Sequence, residues 1–349
     1  MHAGSLRVIM TVSHYDLRMT NSHPTVPLSC LGETIPIRYY PIRDRESTSL
    51  PRALRPGEAY VVPNFEIAEE LISQGIDSAR IAVHEMDCLE EHPPKHIQLA
   101  VDKELVPGVP FDFGQRILIV LPTYNERTNL EALVTTIRRY LVTDILVVDD
   151  NSPDGTGALA DQLSQQHSQI HVLHRPHKEG LGPAYLAGFA WALQRDYELI
   201  IEMDCDFSHA PWDLPRLVHG SQTADLVIGS RYVPGGGTQN WNAFRRMVSQ
   251  SGNNYVRLFL GSRLHDWTGG FRCYQRDLLR QMKLDTVRAK GYVFQVELAW
   301  RAVQLKARIR ELPIRFSDRI HGSSKLGWAS ISEALREIPR LSFSGFNNH

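Results

Sequence analysis

Five short apolar runs recur from residue 116 onward, and each of them ends in polar residues. The runs are ILIVLP (117–122), DILVVDD (144–150), QIHVLHR (169–175), LIIEMD (199–204) and LVIGSR (226–231). Their spacing of about 25 to 30 residues is typical of βαβ units around a buried, mostly parallel sheet. The pattern therefore predicts an α/β domain over residues 116–349.

The segments between these runs have the periodicity of helices. Apolar residues at spacings of three and four follow the first run and predict a helix with one buried stripe: Leu130, Leu133, Val134, Ile137 and Leu141. The stretch GPAYLAGFAWAL (182–193) predicts a second helix. Helical connections of this kind are what parallel strands require.

Residues 1–115 lack this alternation, and we predict that they form a divergent N-terminal extension of unknown role. One regular unit occurs in it, because residues 59–85 have the pattern of a strand, a helix, a glycine-containing turn and a strand. The stretch VPGVPFDFGQR (106–116) is rich in turn-forming residues. The domain boundary is therefore predicted there.

Composition narrows the functional classes. The chain is 42% hydrophobic and 22% charged, with a formal net charge of −1, which is typical of a soluble globular protein and does not favour a nucleic-acid partner. The four cysteines form no CxxC pair, which favours a reducing compartment over a zinc or disulfide framework. No run reaches the roughly 20 apolar residues of a membrane span. We expect a cytoplasmic protein with, at most, peripheral membrane contact.

The candidate chemistry follows the strands, because ligands of open α/β sheets bind beyond the carboxyl ends of the strands. Tyr124 can pack on a base or ribose, and Glu126 or Asp150 can accept hydrogen bonds from a nucleotide. Asp204 and Asp206 are separated by one residue, and two such carboxylates repel each other unless a cation offsets their charge. A divalent ion held there would face a diphosphate.

These motifs also have other interpretations. VDDNSPDGTG (148–157) by itself is a competent turn and helix cap, and a lone DxD occurs often by chance. PTYNER follows the first strand where an NAD-binding fold would have GxGxxG, so that fold is disfavoured. A sugar-nucleotide pyrophosphorylase would need a glycine-rich basic loop at the same place, and PTYNER is not such a loop, so this class is also disfavoured.

Seven ordered motifs resemble the polyprenyl-phosphate (dolichyl-phosphate) β-mannosyltransferases, which are inverting GT-A enzymes of glycosyltransferase family 2. The motifs are LPTYNERTNL, VVDDNSPDGTG, MDCDFSHAP, GSRYVPGG, DWTGGFRCY, KGYVFQVELAW and HGSSKL, within about residues 116–330. The resemblance implies transfer of mannose from GDP-mannose to a polyprenyl or dolichyl phosphate, with inversion. It also implies a GT-A fold with a mostly parallel central sheet.

The resemblance implies a donor site that includes a Mg²⁺ or Mn²⁺ ion. The residues implied for guanosine are Pro122, Tyr124, Glu126, Val148 and Asp150. Those implied for the sugar diphosphate and the metal are Asp204, the backbone at Cys205, Asp206 and the nearby Ser208, with Arg231, Arg319 and Lys325 on the nucleotide sugar. Alanine is usual in the family where this chain has Cys205.

On the acceptor side the resemblance implies that Arg231, Arg245 and Ser249 hold the lipid phosphate, and that Asp206 and Arg231 are catalytic. A phosphate monoester is largely dianionic at pH 7, so the nucleophile arrives ionised and no general base is required. Asp266 and Arg272, on a glycine-rich turn, are further candidates. The alternative for them is an internal ion pair.

Membrane contact is expected from two segments. Residues 241–264 mix aromatic and apolar residues with arginines, as in helices that lie among lipid headgroups, and residues 328–343 have apolar residues at helical spacing. Burial against the domain is the alternative for both. Some family members carry C-terminal transmembrane helices, and the sequence ends at His349 without them. We therefore expect a catalytic subunit type that relies on a membrane-anchoring partner.

Three functional alternatives stay open at the level of sequence. The same lipid-phosphate reaction could use UDP-glucose or another nucleotide sugar. A processive polysaccharide transferase would need a QxxRW element, which FQVELAWR (294–301) does not supply. A degenerate, non-catalytic transferase subunit is the third, and the intact acids at 204 and 206 argue against it.

Overall fold

A computed structural model describes residues 25–30, 33–39, 59–62, 81–83, 110–239, 241–261, 263–289, 291, 293–317 and 328–343. These residues fall into two compact units. One lies within 1–110 and includes 234–236, and the other comprises residues from 111–233 and 237–349. The assignment of 1–115 as a separate extension stays a prediction.

The first unit contains a four-stranded sheet, with strands β1 (Thr25–Cys30), β2 (Glu33–Tyr39), β3 (Ala59–Val62) and β4 (Ile81–Val83) in that order. β1 and β2 are antiparallel, and the other pairs are parallel. β3 and β4 are the two strands expected in 59–85, while the helical part lies outside the described residues. The sequence did not predict β1 and β2. Pro27 and Pro36 face each other in their register, and proline weakens a strand pattern because it cannot donate to the ladder.

The second unit alternates strands and helices. Its strands are β5 (Ile117–Thr123), β6 (Asp144–Asp149), β7 (Ile170–His174), β8 (Leu199–Glu202), β9 (Leu226–Ser230), β10 (Gly237–Thr238), β11 (Arg272–Gln275), β12 (Ile309–Pro313) and β13 (Arg315–Phe316). Its helices are α1 (Arg127–Tyr140), α2 (Thr156–Gln166), α3 (Leu181–Leu193), α4 (Leu214–Gly220), α5 (Ala243–Leu260), α6 (Arg276–Gln281), α7 (Val293–Gln304) and α8 (Trp328–Phe343).

Seven strands form the central sheet in the order β12-β9-β11-β8-β5-β6-β7. All neighbouring pairs are parallel except those of β11, which is antiparallel to both β8 and β9. The five apolar runs correspond to β5 to β9, with ends that agree within two residues. The predicted mostly parallel sheet is therefore confirmed.

Both faces of the sheet are covered. On β5, Leu118 and Val120 belong to one buried apolar cluster and Ile119 and Leu121 to another, as the alternation of side chains along a strand requires. Helix α1 contributes its predicted stripe to the second cluster, and α3 packs on the first. A Cβ added at Gly188 of α3 would lie 2.4 Å from a Val120 methyl group. Glycine therefore lets this helix approach the sheet closely.

The carboxyl ends of the central strands meet at one place. β5 pairs with β6 on one side and with β8 on the other, so the chain leaves β5 between the ends of its neighbours. This is the switch point at which open α/β sheets bind ligands. The turns after β5, β6 and β8 carry the predicted donor residues.

Candidate active site

The turn after β8 brings Asp206 and Ser208 together. Asp206 is 4% exposed, and its Oδ1 accepts a hydrogen bond from the Ser208 N–H at 3.0 Å. Phe207, between them, has a φ of 61°, in the left-handed region that bulky residues rarely adopt. The turn is therefore shaped around this carboxylate.

Asp204 is held by two residues that the sequence did not indicate. The Tyr185 hydroxyl donates to Asp204 Oδ1 at 3.0 Å, and the Asp204 N–H donates to His209 Nδ1 at 3.0 Å. Tyr185 is fully buried on α3. Burial, followed by the negative charge of Asp204, raises the pKa of Tyr185 well above its usual value. The hydroxyl thus stays protonated and remains a donor to the carboxylate.

The side chains of the turn fit a hard divalent ion. Ser208 is 1% exposed, and its Oγ has no hydrogen-bond partner among the described residues. Together with Asp204 and Asp206 it offers oxygen ligands, which Mg²⁺ and Mn²⁺ prefer. No group of three or more His, Cys, Asp or Glu side chains suited to a metal occurs in the described part of the chain. An ion here would therefore take its remaining ligands from substrate phosphates and water, as Mg²⁺ commonly does.

Cys205 does not change this preference. It is 3% exposed and belongs to an apolar cluster. Burial first, and then the nearby charges of Glu126, Asp206 and Asp204, raise the pKa of its thiol well above the usual value. A thiol binds soft metals as the thiolate, and this thiol stays protonated. The replacement of alanine by Cys205 therefore leaves a candidate site with oxygen ligands only.

Glu202, the last residue of β8, is another buried acid near the acid turn. It is fully buried, and burial raises its pKa to about 8, while the charge of Arg272 acts in the opposite direction. The charge of Asp204 contributes to the rise. Glu202 is therefore largely protonated at neutral pH, which limits the number of negative charges packed at the end of β8.

Two of the three acids in VDDNSPDGTG hold the turn itself. Asp149 accepts from the Ser152 hydroxyl at 2.6 Å and from the Thr123 hydroxyl at 3.1 Å. Asp154 accepts from the Thr156 N–H and hydroxyl at 3.0 and 2.6 Å. The turn and cap interpretation of this motif is thus correct for Asp149 and Asp154.

Asp150, the third acid, lies in a buried charge cluster with Arg175, which donates to Asp150 Oδ1 at 2.5 Å and also contacts the Glu179 carboxylate. Burial raises the pKa of Asp150, and the charge of Arg175 opposes this rise. In the same loop, the Lys178 ammonium lies 3.8 Å from the centre of the Tyr124 ring.

The remaining predicted guanosine residues are close by. Pro122 and Val148 are paired in the register of β5 and β6, and Glu126 donates its N–H to the Thr156 hydroxyl at 3.0 Å. Its carboxylate accepts from the Asn129 side chain at 2.9 Å. The structure therefore groups these five residues around the ends of two adjacent strands.

Arg231, after β9, is held by Asp266. Its Nε donates to Asp266 Oδ2 and its Nη2 to Asp266 Oδ1, both at 2.8 Å, and Nη2 also donates to the Thr268 hydroxyl at 2.6 Å. Asp266 is fully buried. Burial alone would raise its pKa, but the charge and hydrogen bonds of Arg231 outweigh this and hold the pKa below its usual value.

The glycine-rich turn therefore contains an ion pair with a different partner from the one expected. Asp266 binds Arg231, whereas the fully buried Arg272 donates to the carbonyl oxygens of Gly269, Trp267 and Gln295 at 2.7, 3.0 and 2.8 Å. Arg272 thus holds the turn, and Asp266 positions the Arg231 side chain.

The other two predicted acceptor residues, Ser249 and Arg245, are connected to Arg231 through aromatic side chains. The Tyr232 and Ser249 hydroxyls are 2.7 Å apart. The Arg245 guanidinium lies 4.2 Å from the centre of the Trp241 ring, and that ring packs edge-on against Phe316 with centroids 5.6 Å apart. Phe316 in turn lies 5.5 Å from the Arg231 guanidinium.

Phe316 also connects this cationic region with the acid turn. Its ring centroid is 5.4 Å from that of His209, which accepts from the Asp204 N–H. The Ser317 N–H donates to the Ser208 carbonyl at 3.3 Å. The acids and the bases therefore border one region of the domain. Arg319 and Lys325 lie outside the described residues.

Comparisons with known proteins identify the family of this chain. Residues 118–287 match the model of Glycosyl transferase family 2. The polyprenol monophosphomannose synthase of Mycolicibacterium smegmatis is 47% identical over 234 residues, covering 66% of this chain and 88% of that protein. The undecaprenyl-phosphate mannosyltransferase of Micrococcus luteus is 47% identical over 226 residues, covering 64% of this chain and 93% of that protein.

Among solved structures, a complex of glucosyl-3-phosphoglycerate synthase from Mycobacterium tuberculosis with Mn²⁺, UDP and glucosyl-3-phosphoglycerate matches 65% of this chain and 78% of its own. The sequence identity is 20% and the TM-score 0.47. The identity to the two bacterial relatives and the family match confirm the resemblance and the GT-A fold expected from the sequence. The chain therefore belongs to glycosyl transferase family 2 and is a glycosyltransferase.

Proposed function

We propose that this enzyme transfers mannose from GDP-mannose to a polyprenyl phosphate with inversion, giving polyprenyl-phosphate β-mannose and GDP. The names of the two relatives support mannose as the sugar and a polyprenyl phosphate as the acceptor. The observation that carries the proposal is the contact of Phe316 with both His209 of the acid turn and the guanidinium of Arg231. A diphosphate donor needs acidic groups that can hold its metal ion. A phosphate acceptor needs basic groups close to them.

On the donor side, Asp204, Asp206 and the Ser208 hydroxyl would hold Mg²⁺ or Mn²⁺. When bound, the ion would supply positive charge to the diphosphate and stabilise the departing GDP. Tyr185 and His209 fix Asp204 in place. The groups around Tyr124 and Asp150 would receive the guanosine.

On the acceptor side, Arg231, Arg245 and Ser249 would bind the lipid phosphate. Asp266 and Thr268 accept from the Nε and Nη2 groups of Arg231 and so fix the orientation of its guanidinium. An ionised phosphate oxygen is itself the nucleophile, and its negative charge is balanced by the guanidinium groups. The protein's task is then to position two anions for in-line attack.

Membrane contact is the remaining part of the proposal. Of the six exposed large hydrophobic side chains in the described part of the chain, five lie on α5 and α8: Phe244, Met247, Leu258, Leu335 and Phe343. The two helices are joined by hydrogen bonds from Tyr255 to the Leu335 carbonyl and from Ser342 to the Phe259 carbonyl. With the arginines of α5, this surface fits a bilayer headgroup region. A membrane-anchoring subunit that covers the same surface is the competing arrangement.

Among the described residues, no helix combines the length and apolar character that crossing a bilayer requires.

A donor panel tests the proposed reaction. Purified enzyme is incubated with radiolabelled GDP-mannose, UDP-glucose or UDP-N-acetylglucosamine, together with one polyprenyl phosphate and Mg²⁺ or Mn²⁺. We expect a labelled glycolipid from GDP-mannose, with a β-anomeric linkage by NMR. A glycolipid formed only from a uridine donor would refute the donor assignment, and an α linkage would refute inversion.

A further inference from the structure

Aromatic rings alternate with guanidinium groups on the acceptor side of the site. The Arg231 guanidinium lies 5.2 Å from the Tyr232 ring centre and 5.5 Å from that of Phe316. Trp241 packs against Phe316 and carries Arg245 on its face. We call these five residues the aromatic-cationic cluster. Its two cations are thus separated by apolar surface instead of hydrogen-bonding groups.

The cluster lines a surface that a ligand can reach. All five of its residues are partly exposed, with 8% of the Arg231 side chain exposed, whereas Trp267 and Phe271 of the neighbouring core are fully buried. Trp241 and Phe316 do not complete an apolar cluster of the domain interior. Their burial against each other leaves ring surface next to Arg231 and Arg245.

A phosphate with an apolar group beside it suits this surface better than a phosphate with a hydroxylated group. Ring faces offer apolar contact to carbon, and each buried methylene group improves affinity about fourfold. A hydroxyl group placed against the same rings loses its hydrogen bonds to water without replacement. The two guanidinium groups would bind either phosphate alike, so the rings would make the distinction.

We propose that Trp241 and Phe316 are specificity-determining residues, which hold the first carbons of the acceptor tail beside its phosphate and so select a prenyl phosphate over a hydroxylated phosphate monoester. This inference rests on the proposed function. It goes further in assigning the selection to two rings instead of to the arginines.

Trp241→Ala is the main test, because Phe316 also contacts His209 of the acid turn. Values of kcat/KM are compared for a short prenyl phosphate and for glycerol phosphate. Loss of contact with about two methylene groups, at about fourfold each, predicts a fall of roughly 16-fold in kcat/KM for the prenyl phosphate. We expect the fall mainly in KM, with little change for glycerol phosphate or for the dissociation constant of GDP. Trp241→Phe keeps a ring and should restore most of the activity.

Trp191→Ala provides a matched control. Trp191 on α3 is also partly exposed and carries an arginine, Arg195, whose guanidinium lies 3.5 Å from its ring centre. It therefore reports the cost of losing a tryptophan with a stacked arginine at another place. We expect its ratio of prenyl to glycerol phosphate efficiency to match that of the wild type.

Direct binding separates this inference from the proposed reaction. The dissociation constant of the prenyl phosphate is measured calorimetrically, without donor, for the wild type, Trp241→Phe and Phe316→Leu. A wild type that binds prenyl phosphate but makes no glycolipid would refute the proposed function alone. Equal losses for both phosphates in Trp241→Ala, or wild-type selectivity in that variant, would overturn the role of the rings. If Trp241→Ala does not fold, weaker prenyl phosphate binding by Phe316→Leu than by the wild type is the supporting result, and unchanged binding the contrary one.

Discussion

Phe207 illustrates how the local chain shapes the acid turn. A non-glycine residue in the left-handed region costs roughly 1–3 kcal/mol, and such residues cluster at functional sites. At Phe207 this conformation accompanies the hydrogen bond from the Ser208 N–H to Asp206. The buried Ser208 hydroxyl, without a partner among the described residues, lies in the same turn. These features support the proposed ligand site at this turn.

Asp206→Asn tests the role of this turn at the level of a single oxygen. The amide keeps the size of the side chain but removes its negative charge, so we expect a fall in kcat of roughly 10²-fold or more and weaker Mn²⁺ binding by calorimetry. Asp161→Asn is the control, because Asp161 is a partly exposed acid of α2 paired with His174. Wild-type activity and Mn²⁺ affinity in Asp206→Asn would exclude it as a metal ligand.

Tyr185→Phe tests the support of Asp204. The variant keeps the ring that stacks on Phe294, with centroids 6.0 Å apart, and removes only the donor to Asp204. Loss of such a supporting hydrogen bond typically weakens metal binding or activity 10- to 100-fold. We expect this range for Mn²⁺ affinity. Tyr255→Phe is the control, because Tyr255 is a partly buried tyrosine whose hydroxyl donates to the Leu335 carbonyl, away from Asp204. A Tyr185→Phe protein with unchanged affinity would show that Asp204 needs no such support.

The sequence predicted the acids and arginines proposed for the site, but it did not indicate which residues hold them. Asp204 and Asp206 stand out because they follow an apolar run. Tyr185 is one apolar-face residue among several in a hydrophobic helix, and it meets Asp204 only because α3 packs on the sheet. Likewise, Asp266 pairs with Arg231 across 35 residues of sequence. Neither partner follows from local spacing.

At the scale of elements, β5, β6, β8 and β9 were predictable because they are buried on both faces and are largely apolar in sequence. The edge strand β7 is only partly buried, and its apolar residues lie among histidines. β11 was not predictable, since its sequence RCYQ is half polar. Its Arg272 is nevertheless fully buried, because carbonyl oxygens of the preceding turn and of Gln295 in α7 accept its hydrogen bonds. A buried arginine of this kind hides a strand from any pattern of hydrophobicity.

Glu202 at the end of β8 predicts a pH dependence of stability. Its pKa rises from an ordinary 4.5 to about 8 in the folded protein, so between these values the unfolded chain releases a proton that the folded chain retains. Stability contributed by this group therefore falls as pH rises, by up to about 1.4 kcal/mol per pH unit. Glu202→Gln mimics the protonated form. We expect its free energy of unfolding, relative to the wild type, to increase from about pH 5 to about pH 8.

Urea denaturation in the presence of a chelator measures this difference without interference from metal binding. Parallel curves for the two proteins across the whole pH range would show that Glu202 titrates normally.

At the scale of the molecule, exposed apolar side chains are concentrated on α5 and α8. The sequence left open whether these helices are buried, because periodicity gives the width of an apolar stripe but not what covers it. In the structure Val256 and Ile338 are buried, whereas Leu258 is 79% and Phe343 85% exposed. Each helix thus packs one side against the domain and also exposes apolar side chains to its surroundings.

Replacing Phe244 and Leu258 by serine should weaken binding to anionic vesicles in a flotation assay, because each loses up to about 1.5–3 kcal/mol of apolar burial. Transfer to a short, water-soluble prenyl phosphate should stay near the wild-type rate. Val142→Ser is the control, since Val142 is an exposed apolar residue outside α5 and α8. Unchanged flotation of the double variant would leave a partner protein as the occupant of this surface.

The central claim is that one site holds the donor diphosphate and the acceptor phosphate together, between the acid turn and the guanidinium groups. Paramagnetic relaxation by Mn²⁺ in ³¹P NMR tests it directly, with GDP and a short prenyl phosphate bound at once. We expect strong relaxation of both ligands' phosphorus signals, and its loss for both in Asp206→Asn. Relaxation of the GDP signals alone, with the prenyl phosphate bound but unaffected, would contradict a shared site.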